Sequence, residues 1–140
     1  MLVKEIMHKG IDFIAPDCSV KEAAGIMKRK NIGALPVCHM GALWGILTDR
    51  DIVVRAVAEG SDPGSIRVSK IMTAAPVRCR TDEDITVVAR RMEDKKLRRI
   101  LVVNQEGKLA GMLSIDDFTH RGPAQDLVAE VLESAAARHS

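Results

Sequence analysis

Thr48 and Ser114 each follow a short apolar run, and each has an aspartate three residues later, Asp51 and Asp117. That spacing serves two kinds of chemistry. At the start of a helix, the hydroxyl satisfies a free backbone N–H and the acid favours the positive helix end, which makes a cap with no ligand. Facing a ligand, the same turn offers backbone N–H groups and a hydroxyl to a phosphate. A carboxylate one turn on then accepts from paired ribose hydroxyls. Gly45 and Gly111, just before these turns, leave room for close approach of a ligand or of another strand.

The two turns are part of a larger repetition. Val3-Lys4-Glu5-Ile6-Met7 returns as Val68-Ser69-Lys70-Ile71-Met72, and Gly45 through Asp51 returns as Gly111 through Asp117. The first pair is offset by 65 positions and the second by 66, so a unit of roughly half the chain occurs twice, with one residue inserted. Within each copy the pattern predicts strand, helix, strand, strand, helix. A short helix over Val3–Met7 leads into an extended stretch, Ile11–Ile14. Ser19, with Glu22 three residues on, starts a helix whose apolar face carries Val20, Ala23, Ala24 and Met27. Asp84 starts its partner, with Ile85, Val88, Ala89 and Met92 on the matching face. Strands are expected over Ala34–Cys38 and Leu43–Leu47 around His39-Met40-Gly41. Their counterparts are Arg99–Val103 and Lys108–Leu113, around Asn104-Gln105-Glu106-Gly107, where the extra residue enters. Final helices start at Thr48, running through Ile52, Val53 and Ala56, and at Ser114, running through Phe118. The expected division is therefore a first repeat over 1–60, a linker over 61–67, a second repeat over 68–122, and a tail over 123–140. Leu127, Val128, Val131, Leu132 and Ala135 give that tail the spacing of an amphipathic helix.

Composition narrows the function. Two Phe, one Trp and no Tyr leave no stacking platforms for single-stranded nucleic acid, and a net charge of +2 gives no bulk attraction to DNA or anionic lipid. No run is long and apolar enough for a signal or a membrane span, so the expected location is the cytoplasm. Cys18, Cys38 and Cys79 are an odd count without a Cys-x-x-Cys pair, which suits small buried hydrophobes better than a disulfide framework or a zinc site. A redox or metal role for Cys18, Cys38 and His39 is the weaker alternative, since their spacing matches no ligand pattern. His8, His39, His120 and His139 are scattered, and no nucleophile–base or acid pair stands out, so no enzyme is expected. Lys95, Lys96, Arg98 and Arg99 form a basic cluster near a helix end, explained either by the helix dipole or, for Arg99, by a phosphate.

Ile6-Met7 and Ile71-Met72, the Pro16-Asp17 turn, the run Ile32-Gly33-Ala34-Leu35-Pro36-Val37, and the doubled Gly-apolar-apolar-Thr/Ser-x-x-Asp motif resemble a tandem pair of cystathionine β-synthase (CBS) domains over residues 3–121. The resemblance implies a Bateman module: an α/β (α+β) fold of two pseudo-twofold-related repeats with packed sheets. It also implies clefts for adenosine-containing ligands, chiefly AMP, ADP or ATP, with S-adenosylmethionine or NAD as further possibilities, and assembly as a homodimer. Carried over by position, Thr48 and Ser114 are phosphate-side hydroxyls and Asp51 and Asp117 ribose-side carboxylates. Ile14, Ala34 and Leu35 would enclose one base, and Cys79, Arg99 and Ile100 the other. Arg50 and Arg98 are candidate phosphate contacts. Two departures from the family pattern stand out: Asp12 stands where an aliphatic residue is usual, and Arg98-Arg99 replace Gly33-Ala34 in the second copy. The expected function is a non-catalytic sensor whose output runs through dimer geometry or a separate regulated protein. A ligand-free interaction module is the rival from another class.

Overall fold

In the computed structural model, residues 1–121 are described, and the expected tail helix lies outside them. The chain divides into two compact units, and these are offset from the sequence repeats. Asp12–Pro76 forms one unit, while Met1–Ile11 joins the chain from Val77 onward in the other. Each copy of the Val-x-x-Ile-Met segment is thus built into the unit that contains the other copy's helix and strands.

The unit formed by Asp12–Pro76 begins with an extended stretch that is shorter than its sequence pattern suggests. Only Ile14 pairs, in a parallel bridge to Val37. Helix α1 (Val20–Lys30) follows, with Ser19 accepting from the Glu22 N–H at 3.1 Å. Val20, Ala23 and Met27 are buried beneath it, but Ala24 is exposed, so the apolar face is narrower than its spacing predicts. Asn31 ends the helix in the left-handed region. Strands β1 (Ala34–His39) and β2 (Ala42–Thr48) form a hairpin joined at Met40-Gly41. Both turn residues have positive φ, 51° and 84°, as a two-residue turn matching the strand twist requires. Helix α2 (Asp49–Ile52) continues into a π-helical turn over Val53–Val57, in place of the single helix expected there. After the linker, α3 (Val68–Ile71) leads into β3 (Thr73–Ala74), which adds antiparallel to β2. The core gathers Ile14, Val20, Leu35, Val37, Leu47 and Ile71. Each such side chain is worth about 1.5–3 kcal/mol when buried.

The second unit repeats the plan. Its opening strand is fully formed: β4 (Arg78–Arg80) pairs parallel with β5 (Arg99–Val103), which pairs antiparallel with β6 (Leu109–Ser114). Helix α4 (Ile85–Lys95) is capped by Asp84 and buries Ile85, Val88, Ala89 and Met92, the face its spacing predicts. The extra residue sits in the β5–β6 turn. There the Asn104 side-chain carbonyl accepts from the Glu106 and Lys108 N–H groups, and Gly107 takes a φ of 81°. Helix α5 spans Ile115–Arg121. A 3-10 turn over Val3–Glu5, shorter than the expected helix, presses Val3 and Ile6 into the same core as Met92, Ile100, Leu113 and Phe118.

The exchanged segments are held alike in both units. The Val3 and Lys4 N–H groups donate to the Glu83 and Thr81 carbonyls, and the Val68 and Ser69 N–H groups donate to those of Cys18 and Pro16. Leu2 bridges Asp84 as Arg67 bridges Ser19. The two glycines before the hydroxyl–acid turns explain the close fit. A Cβ on Gly45 would lie 2.7 Å from the Thr73 carbonyl oxygen, and one on Gly111 would lie 2.3 Å from that of His8. Another strand therefore occupies the room these glycines leave.

Candidate functional site

Each hydroxyl–acid turn is placed by two strands. Ala34 pairs with Thr48, and the Gly33 carbonyl accepts from the Asp49 N–H at 2.9 Å. In the other unit Arg99 pairs with Ser114, and the Arg98 carbonyl accepts from the Ile115 N–H at 3.1 Å. Gly33-Ala34 and Arg98-Arg99 are thereby fixed beside the first residues of the following helix. A Cβ on Gly33 would stand 3.0 Å from Asp49 Oδ2, so the Asp49 side chain lies over the space which this glycine leaves.

At the first turn, Asp51 Oδ2 accepts from the Thr48 N–H at 3.0 Å, while Thr48 Oγ1 accepts from the Asp51 N–H at 3.1 Å. This reciprocal pair is the capping geometry that the residue types permit. Asp51 Oδ1 lies 3.9 Å from Arg55 Nε, beyond hydrogen-bonding distance. Arg55 itself donates to the carbonyls of Ile71 and Met72 at 3.2 and 3.3 Å, tying α3 to the π-helical turn. Arg50 is exposed, and its backbone N–H donates to Asp49 Oδ1.

The second turn is more closed. Asp117 is the one buried charged residue among those described, with its side chain 8% exposed. Its Oδ2 accepts from the Ser114 N–H at 2.7 Å and from Ser114 Oγ at 3.3 Å. Its Oδ1 meets His8 Nε2 at 2.5 Å. Both oxygens are therefore engaged within the unit. Among the described residues, no buried side-chain nitrogen or oxygen lacks a partner.

The remaining expected site residues divide by burial. Ile14, Leu35, Cys79 and Ile100 belong to the two cores. Ala34, Arg98 and Arg99 are exposed beside the turns, as are Lys95 and Lys96 at the end of α4. Asp12 is exposed and outside the core. Sequence reasoning missed His8 and Arg55, the two side chains that face the motif carboxylates. A usable signal existed for His8: it follows the repeated Ile-Met pair, and Gly111 requires a strand to come close.

Cys38 and Cys79 are buried and Cys18 is half-buried. Burial raises the Cys38 thiol above its ordinary range and, with the Glu83 charge nearby, pushes Cys79 up to about 12. Burial and the neighbouring Glu22 also raise Cys18. Such thiols are protonated at neutral pH and so are weak nucleophiles. Among the described residues, no group of three or more His, Cys, Asp and Glu side chains is placed to hold a metal ion. Nor is any described helix long and apolar enough to cross a membrane.

Comparison with known proteins fits this geometry. The CBS domain model matches twice, over residues 3–57 and 68–122. The CBS domain-containing protein YhcV of Bacillus subtilis is 35% identical over 116 residues, covering 83% of this chain and 81% of its own. A crystal structure of hypoxic response protein I with two coordinated zinc ions superposes with a TM-score of 0.76 at 28% identity, covering 88% of this chain and all of that one. The CBS domain pair of protein MJ0100, in complex with 5′-methylthioadenosine and S-adenosyl-L-methionine, gives a TM-score of 0.69 at 29% identity, covering 86% and 94%.

Proposed function

The chain belongs to the CBS-domain family, with two domains in tandem, and from that premise we propose that it is a non-catalytic regulatory module that binds an adenosine nucleotide at its hydroxyl–acid turns. The observation that carries this reading is the doubled turn itself. In both copies a carboxylate is anchored through one oxygen to the backbone N–H three residues earlier, which leaves its other oxygen to face a partner. At Asp51 that oxygen has no tight partner, and it suits a ribose hydroxyl. Thr48 and Ser114 are assigned to phosphate oxygens, with the exposed Arg50, Arg98 and Arg99 as further cationic contacts. The adenosine-derived ligands bound by the MJ0100 pair support the ligand class. AMP, ADP and ATP are the first choices, ahead of S-adenosylmethionine and NAD. The signal passes to a separate protein or through the geometry of a homodimer, and it is limited to the ligand's differential affinity for two states.

The hydrogen bonds at both turns also favour a second reading, in which Asp51 and Asp117 are caps alone and the module binds no nucleotide. One experiment separates the two. Thermal unfolding of the wild type and of the Asp51→Ala, Asp117→Ala double variant is followed with AMP, ADP, ATP, S-adenosylmethionine and NAD. A ligand present at a hundred times its dissociation constant adds about 2.7 kcal/mol to the folded state. A wild-type shift that the double variant loses supports the sensor. No shift from any of the five, with the double variant merely less stable, leaves the cap reading.

A further inference from the structure

The two turns share a motif but not a neighbour, and the difference falls on the carboxylate oxygen that a ribose would need. His8 follows Met7 as Thr73 follows Met72, so the two residues hold equivalent positions in the exchanged segments. The backbone around them is matched: Thr73 pairs with Ile46, and His8 bridges Met112 through two hydrogen bonds of 2.9 and 3.0 Å. Gly111, having no Cβ, admits the His8 carbonyl so closely that the segment cannot shift along β6 without losing this fit. The His8 ring is therefore delivered to Asp117 by a fixed backbone. In the other unit the equivalent residue is Thr73, short and neutral, and Asp51 Oδ1 stands 3.9 Å from Arg55 Nε.

Resting on the nucleotide reading above, we infer that His8 locks the second turn against a ribose, so that the chain takes one adenosine nucleotide, at Thr48–Asp51, and that His8 is the residue that sets this stoichiometry. A ribose diol at Asp117 must displace a hydrogen bond to a charged group, a loss that weakens binding about tenfold or more. At Asp51 nothing of that strength is displaced. The exposed Arg98 and Arg99 beside Ser114 leave the second turn attractive to phosphate oxygens. The lock therefore acts on the ribose end of the ligand and not on its charge.

Equilibrium dialysis of the full chain against radiolabelled ATP, and separately against AMP, tests this with His8→Thr, His8→Ala and Asp51→Ala. The wild type is expected to bind one equivalent, lost in Asp51→Ala. His8→Thr, which copies the other repeat, is expected to bind two, and so is His8→Ala. His8 is half-exposed and held through its backbone, so both variants keep the bridge to Met112. Two equivalents in the wild type, or one that Asp51→Ala keeps, overturns the lock and leaves the nucleotide reading intact. One equivalent in the wild type and still one in both His8 variants also overturns it. No binding by the wild type or by any variant overturns the nucleotide reading and the lock together.

Discussion

Asp51 and Asp117 hold the same place in the two repeats, yet one keeps an oxygen without a tight partner and the other has both engaged. The difference arises from neighbours, because the motif residues are nearly the same. Gly111 has a matching role, admitting the His8 backbone where any side chain would collide with it. Gly111→Ala is accordingly expected to cost about 1–3 kcal/mol or more, since the obstacle is backbone and cannot rotate away. Gly33→Ala is expected to stay within about 0.5 kcal/mol, because the atom it meets is the movable end of the exposed Asp49 side chain. Chemical denaturation of the two variants checks this, and equal losses would show that the approach at Gly111 relaxes freely. At this scale the sequence revealed the residues that recur, Thr48, Asp51, Ser114 and Asp117. His8 was legible only indirectly, through Gly111 and the repeated Ile-Met pair, because its part depends on which segment lies against which strand. Arg55, by contrast, stands four residues after Asp51, a spacing the sequence offers openly. His8 is 109 positions from the carboxylate it meets, and no local pattern reports such a distance.

Elements with strong periodicity appeared where the spacing put them. Helix α4 buries all four residues of its predicted face, and the hairpin of β1 and β2 keeps its turn. The weaker signals shortened. Ile11–Ile14 reduces to one bridge, and the helix after Thr48 changes to a π-helical turn over Val53–Val57, where backbone bonding outweighs a pattern that does not distinguish helix types. Met40 records a local conflict of the same kind. It lies in the left-handed region at φ 51°, which costs an ordinary L-residue roughly 1–2 kcal/mol, and its side chain is 85% exposed and recovers little by packing. Met40→Asn, which suits the first position of this turn, is expected to raise stability by about 0.5–1 kcal/mol. A calorimetric melt of the variant tests it, and a lower melting temperature would mean that the Met40 side chain packs to more effect than its exposure indicates.

Across the whole chain, the feature that the repeat arithmetic left open is the exchange of leading segments. Val3 and Val68 are identical, as are Ile6 and Ile71, so each segment supplies the same apolar groups to either core and the sequence alone does not choose between them. The fold places Ile6, 1% exposed, with Val88, Met92, Leu113 and Phe118, and so makes residues from the first repeat part of the second repeat's core. Ile6→Ala is therefore expected to cost about 2–5 kcal/mol and to act at a distance in sequence. Hydrogen exchange by mass spectrometry should show lost protection in β5, β6 and α4, while the amides of Asp12–Pro76 keep more of theirs, because compact units open with their own free energies. Ile71→Ala is expected to reverse the pattern. Loss concentrated in α1, β1 and β2 after Ile6→Ala would mean that each leading segment serves its own repeat, and the route by which His8 reaches Asp117 would fall with it.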